Sequence, residues 1–212
     1  MTLAHIPSPG DYRARLAADF AAGTPPDVAL INYRRMAAFA AANQLQPLGP
    51  YLQRSGVIKA TDFYPITLEA FTWAGELMCI PQNISSLVVY YNRDLFRAAG
   101  VAEPADDWTW DDFLSTAKAL TRDTDGDGAA DQHGLGVEPS LFRVAPFVWQ
   151  NGGRLVDDPD YPAQLGLTRF PSQEALNWFV ALQTIHHVTP DRLAEASLDS
   201  ESRFIQGTTA MY

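Results

Sequence analysis

The chain has 212 residues, 47% of them apolar, and carries 25 acidic against 15 basic side chains for a formal net charge of −10. That length fits one large domain or two small ones and is enough to bury a real core. The charge excludes the basic face that nucleic acid or a polybasic membrane patch would need. The single cysteine, Cys79, excludes an internal disulfide and a cysteine-based zinc site.

From the amino terminus, residues 1–10 show no charged segment followed by an apolar one, so no signal peptide is visible. Tyr12, Leu16 and Phe20 recur at helical spacing and predict a helix over 11–22, ended by Gly23 and by Pro25-Pro26. Asp27-Val28-Ala29-Leu30-Ile31-Asn32 reads as a short strand of the buried type, and an alanine-rich helix follows over 34–43. Residues 45–58, with Pro47, Gly49, Pro50 and Gly56, read as loop. This alternation predicts an α/β layer rather than a helical bundle.

Two further strands are expected, Leu77 to Ile80 and Leu87 to Tyr91, separated by the turn residues Pro81-Gln82-Asn83. Asn92 suits the start of a short helix that Gly100 ends in a left-handed conformation. Thr109 and Asp112 form a capping-box pair before a helix whose buried stripe is Phe113, Ala117 and Leu120. Another helix begins near Ser172 with Ala175, Phe179, Leu182 and His186 on one face. No run approaches the ~18–20 apolar residues of a membrane span.

Little in this order argues for bond-making chemistry. The adjacent carboxylates (Asp106-Asp107, Asp111-Asp112, Asp157-Asp158) do not converge as an acid/base pair must. His186 and His187 point to different faces, and no Gly-x-Ser-x-Gly elbow, cysteine–histidine context or phosphate loop is present. The sharpest local motif is Asp123-Thr124-Asp125-Gly126-Asp127-Gly128-Ala129-Ala130-Asp131. Asp123, Asp125, Asp127 and Asp131 match the first part of a calcium loop, but Gly134 stands where a bidentate glutamate is required. Structural calcium and a metal-free, Asx-turn-rich loop are both open on this pattern. Aromatic and amide side chains also gather at element ends: Asn32 with Tyr33, Gln82-Asn83 with Ser85, and Phe142, Phe147, Trp149, Gln150 and Asn151 before Gly152-Gly153. Such residues either fill a core or hold a sugar by stacking and by hydrogen bonds to hydroxyls.

Six segments, in order, resemble the extracellular solute-binding proteins of ABC importers, the branch typified by the maltose-binding protein. They are Ala22-Gly23-Thr24-Pro25-Pro26-Asp27-Val28, Ile80-Pro81 with Leu87 to Asn92 and Leu95-Phe96, and Gly100 with Trp108-Thr109-Trp110-Asp111-Asp112-Phe113. The rest are the Asp123–Gly134 loop, Trp149-Gln150-Asn151-Gly152-Gly153 and Phe204-Ile205-Gln206-Gly207-Thr208-Thr209-Ala210-Met211. The resemblance implies a periplasmic-binding-protein-like α/β fold of two lobes with a hinge: a partial first lobe over 1–90 and a second over 91–212. Both ends read as internal points of a longer chain.

The implied function is capture of a sugar or oligosaccharide for import, without catalysis and with no cofactor beyond that loop calcium. The implied ligand residues are Asn32, Tyr33, Arg34, Arg35, Gln82, Asn83, Ser85, Phe142 and Trp149. Ser85 stands where the maltose-type member has an acidic ligand, so maltodextrin is not implied. The implied partner is a membrane permease, and the implied location is extracellular or periplasmic on a lipoprotein anchor. Self-association through the unpaired Ala29-Leu30-Ile31 edge is expected of the piece. The rival readings are a carbohydrate hydrolase domain and a receptor that presents its ligand to a sensor.

Overall fold

Ser8 starts the first helix, α1 (Pro9–Ala21): its hydroxyl accepts from the Asp11 N–H, and Pro9 occupies a first-turn position that needs no donor. The structure, a computed structural model, describes residues 3–159 and 162–212; Met1 and Thr2 of the amino-terminal stretch lie outside it. The chain divides into two compact units, Met1–Ser86 and Leu87–Tyr212.

In the first unit, α1 is followed by α2 (Tyr33–Ala41), α3 (Gly49–Arg54), a 3-10 turn (Ala60–Asp62) and α4 (Pro65–Ala70). The Phe20 and Phe39 rings, 5.1 Å apart, tie α1 to α2. A small core of Met36, Ala40 and Met78 is flanked by Ile31, Leu45, Phe71 and Cys79. β1 (Thr72–Trp73) pairs antiparallel with β2 (Glu76–Leu77). Ala74 and Gly75 both take positive φ (50° and 82°), the two-residue turn whose twist suits a hairpin.

Three expectations fail here, the first being the strand over Leu77 to Ile80, of which only Leu77 is paired, as the end of β2. Residues 27–32 form no strand: Val28 is 84% exposed, and Tyr12 donates its hydroxyl hydrogen to the Leu30 carbonyl at 2.8 Å. A strand exists only in a ladder, and no described segment pairs with this one. The expected loop at 45–58 contains α3, because Pro50 falls in a first turn, where its missing N–H costs nothing.

The second unit holds α5 (Arg93–Ala99), α6 (Trp110–Leu120), β3 (His133–Leu135), α7 (Leu141–Gln150), α8 (Phe170–Thr184), α9 (Arg192–Ser197), α10 (Ser200–Gln206) and β4 (Thr209–Met211). Asn92 caps α5, Gly100 exits it at φ 67°, and Thr109 and Asp112 close a capping box on α6. β3 and β4 run parallel, with His133 opposite Thr209 and Leu135 opposite Met211. The expected strand over 87–91 joins this ladder only at its end, where Tyr91 bridges Met211 and Tyr90 exchanges backbone hydrogen bonds with Tyr212 at 2.7 and 2.8 Å. The core runs through Phe96, Phe113, Ala117, Leu120, Leu135, Val148, Phe179, Leu182 and Met211. Gly134 lets β3 lie against α6, since a Cβ there would collide with the Ala117 carbonyl.

Candidate functional site

The aromatic cluster before Gly152-Gly153 resolves into two populations once α7 forms. Val144, Ala145 and Val148 are buried, and Phe147 packs 5.3–5.7 Å from the rings of Trp110, Trp178 and Phe179. Phe142 and Trp149 are seven residues apart, two turns to within about 20°, so they share one face of the helix. That face is turned to solvent: Trp149 is 60% exposed and Phe142 44%. Phe147 therefore builds core, while Phe142 and Trp149 present flat apolar rings to whatever approaches α7.

Sequence reasoning passed over the charged group beside them. The Arg143 guanidinium lies 6.0 Å from the Phe142 ring centre and 5.7 Å from that of Tyr212, and its Nη2 donates to the Tyr212 hydroxyl at 3.2 Å. Its Nε stands 3.8 Å from a Glu138 carboxylate oxygen. Burial pushes the Tyr212 hydroxyl above its ordinary pKa, so it stays protonated at neutral pH. The available signal was an arginine directly following an aromatic residue inside an amide- and aromatic-rich stretch.

In the first unit, Asn32, Tyr33, Arg34 and Arg35 are exposed at the start of α2. The Asn32 amide oxygen accepts from the Arg34 N–H at 3.1 Å and from the Arg34 Nε at 3.3 Å, so it serves as the helix cap. The Arg34 guanidinium lies 6.0 Å from the Tyr33 ring centre. Gln82, Asn83 and Ser85 are exposed on irregular backbone.

The acidic loop folds on itself. Carboxylate oxygens of Asp123, Asp125 and Asp131 lie within 4.8 Å of one another, and Asp127 stands outside that group. Asp123 accepts from the Gly126 and Gly128 N–H groups at 2.6 and 2.9 Å, and Asp131 accepts from Thr124 N–H, Thr124 hydroxyl and Asp125 N–H at 2.7, 2.6 and 3.2 Å. Those bonds hold both carboxyls below the usual carboxylate range. Such a loop is ordered by Asx-type turns and gathers three carboxylates on one side.

Burial pushes the Cys79 thiol up, away from the thiolate a nucleophile needs. The expected face of α8 is buried at Ala175, Phe179 and Leu182, but the helix ends before His186. Glu103 accepts from the Tyr91 hydroxyl and from Arg93 Nε, both at 2.8 Å, tying the Tyr91 bridge to α5.

Residues 6–212 match the family described as bacterial extracellular solute-binding proteins. A relative from Brucella abortus is 25% identical over 202 residues, 93% of this chain and 46% of its own length. The sn-glycerol-3-phosphate-binding periplasmic protein of Escherichia coli K12 is 27% identical over 117 residues, 52% of this chain and 27% of its own. Among solved structures, an ABC substrate-binding protein from Listeria monocytogenes in complex with cycloalternan aligns with a TM-score of 0.85 at 25% identity, over 96% of this chain and 51% of that one. The sugar-binding protein MalE of Xanthomonas citri aligns at 0.74 and 23% identity, over 96% and 49%. The chain thus spans about half the length, or less, of the relatives it matches.

Proposed function

The chain belongs to the bacterial extracellular solute-binding proteins, and from that premise we propose that it captures a sugar or oligosaccharide for an ABC importer. Its fold is periplasmic-binding-protein-like α/β. The observation that carries the sugar reading is the pair of exposed rings on α7, Phe142 and Trp149, placed on one face while Phe147, half-buried, packs against the core. Exposed aromatic area beside hydrogen-bonding groups suits the alternating CH and OH faces of a pyranose.

In this reading the two units are a partial first lobe and the second lobe, and the work is binding and delivery to a membrane permease without covalent chemistry. Within the first unit, taken by itself, Asn32, Tyr33, Arg34, Arg35, Gln82, Asn83 and Ser85 are the exposed candidates for polar contacts to a solute. Asp123, Asp125 and Asp131 hold a structural calcium, a role supported by their convergence. The whole protein is tethered outside the membrane as a lipoprotein. Exposed Val28 and Leu30 support self-association of the isolated chain, which sedimentation at several concentrations reads.

A second reading, a phosphorylated polyol as solute, is favoured by the relatives that bind sn-glycerol 3-phosphate. Calorimetry on the full-length protein against neutral sugars and their phosphorylated counterparts tests both. Binding of a neutral sugar that is weakened by Trp149→Ala supports the first reading, and binding of phosphorylated members alone overturns it.

A further inference from the structure

Arg143 lies on the exposed side of α7, one residue from Phe142, and its surroundings constrain what charge that face accepts. Its guanidinium is held between the Phe142 and Tyr212 rings, and its side chain keeps 27% of its surface in contact with solvent. Taken alone, a planar fork of N–H donors would favour a phosphate or carboxylate. Glu138 changes that. Its side chain is 62% exposed, and a carboxylate oxygen sits 3.8 Å from Arg143 Nε, too far for a short charge-assisted hydrogen bond but close enough to offset the arginine's field.

We propose that the Arg143–Glu138 pair sets the charge class of the solute: a neutral, hydroxyl-bearing molecule receives hydrogen bonds from Arg143 and donates to Glu138, while phosphate- and carboxylate-bearing analogues are turned away. This rests on the reading that Phe142 and Trp149 face the solute. Three observations carry it. A donor fork beside an acceptor matches neighbouring hydroxyls, each of which both donates and accepts. An anion seated in the fork would lie next to the Glu138 carboxylate, and removing water from two like charges at that range is costly. The wider surroundings are acidic as well: Glu201, Glu138 and Asp199 all act on the Tyr212 hydroxyl that Arg143 contacts, and the chain as a whole carries −10.

The test is calorimetry on the full-length protein, using paired probes: glucose with glucose 6-phosphate, glucose with glucuronate, maltose with maltobionate, and glycerol with sn-glycerol 3-phosphate. The wild type should bind the neutral member of at least one pair about tenfold or more tighter than its anionic partner. Glu138→Gln, which keeps the shape and removes the charge, should narrow that ratio about tenfold, chiefly by strengthening the anionic member, with Tm unchanged. Arg143→Met, which keeps an unbranched side chain and removes the donors, should weaken the neutral member about tenfold. A ratio that Glu138→Gln does not move sinks the charge-class role. So does a wild type that prefers the anionic member, and in either case a loss of binding in Trp149→Ala still leaves the α7 face as the solute site. A protein that binds no probe of either kind overturns the sugar reading and this inference together.

Discussion

Replacing Trp149 by alanine separates a ring that binds from a ring that packs. A Trp side chain can bury up to about 250 Å², and at 60% exposure Trp149 gives up only some two-fifths of its surface to the fold. At about 25 cal/mol per Å², that ~100 Å² bounds the loss of stability near 2.5 kcal/mol, and compact denatured chains lower it further. Phe147, half-buried and packed among Trp110, Trp178 and Phe179, should instead cost about 3 kcal/mol on truncation, the low end for buried aromatics. Binding should reverse the order. A ring stacked against the solute contributes about 1–3 kcal/mol, so Trp149→Ala should weaken the sugar by roughly fivefold to 150-fold. Urea unfolding and calorimetry on both variants of the full-length protein give the four numbers. The reasoning is refuted if Trp149→Ala keeps wild-type affinity and loses as much stability as Phe147→Ala, because the ring would then belong to the core.

Gly134→Ala drives a methyl into the Ala117 carbonyl, which is backbone and cannot rotate away, so thermal melting should show a loss of about 2 kcal/mol or more; an unchanged Tm would mean that β3 does not lie on α6. Burial, with Arg203 adding to it and Asp191 opposing, holds the pKa of His133 below its ordinary 6.5, so the unfolded chain takes up the proton first. Its contribution is complete above about pH 6.5 and is lost as pH falls from there toward the depressed folded value; Tm should drop between pH 7.5 and 5.5, and less so in His133→Gln. An identical slope in that variant would assign the effect elsewhere, with His186, also depressed by burial, the next to substitute. If the proposed calcium sits on Asp123, Asp125 and Asp131, chelation should lower Tm while sugar affinity measured at low temperature barely moves. No shift on chelation would leave the loop to its hydrogen bonds alone.

What the sequence made legible follows from how local each signal is. Asn92 with Gly100 and Thr109 with Asp112 act within a few residues, and both devices stand where expected. The stripe Phe113, Ala117 and Leu120 is buried as its spacing predicts, because helical period alone fixes which side faces the core. Strands were poorly legible because pairing is not local. Val28 to Ile31 has strand composition and no ladder, whereas His133-Gly134-Leu135 has weak strand composition and pairs with Thr209 to Met211, more than seventy residues later. The β1–β2 hairpin was missed for a smaller reason: Ala74-Gly75 takes a turn that asparagine or aspartate before glycine would have announced.

The candidate site shows the same division. Composition singled out the stretch, since aromatic and amide residues crowd between Phe142 and Asn151, but it could not divide exposed rings from packing rings. That division depends on helix phase, and Pro146 in the middle of the run hid the helix. Once α7 is granted, the arithmetic is short. From Phe142 to Trp149 is two turns, which keeps them together, whereas Phe147 lies about 140° round from Phe142, toward α6 and α8. The phase also decides Arg143. At about 100° from Phe142 it sits at the rim of the exposed face, where its guanidinium lies near two rings and faces Glu138. One helical register therefore orders the stretch into a core ring, two solvent-facing rings and a charged edge. A substitution that shifted this register by one residue would bury Arg143 and expose Val148, so the site and the fold of α7 stand or fall together.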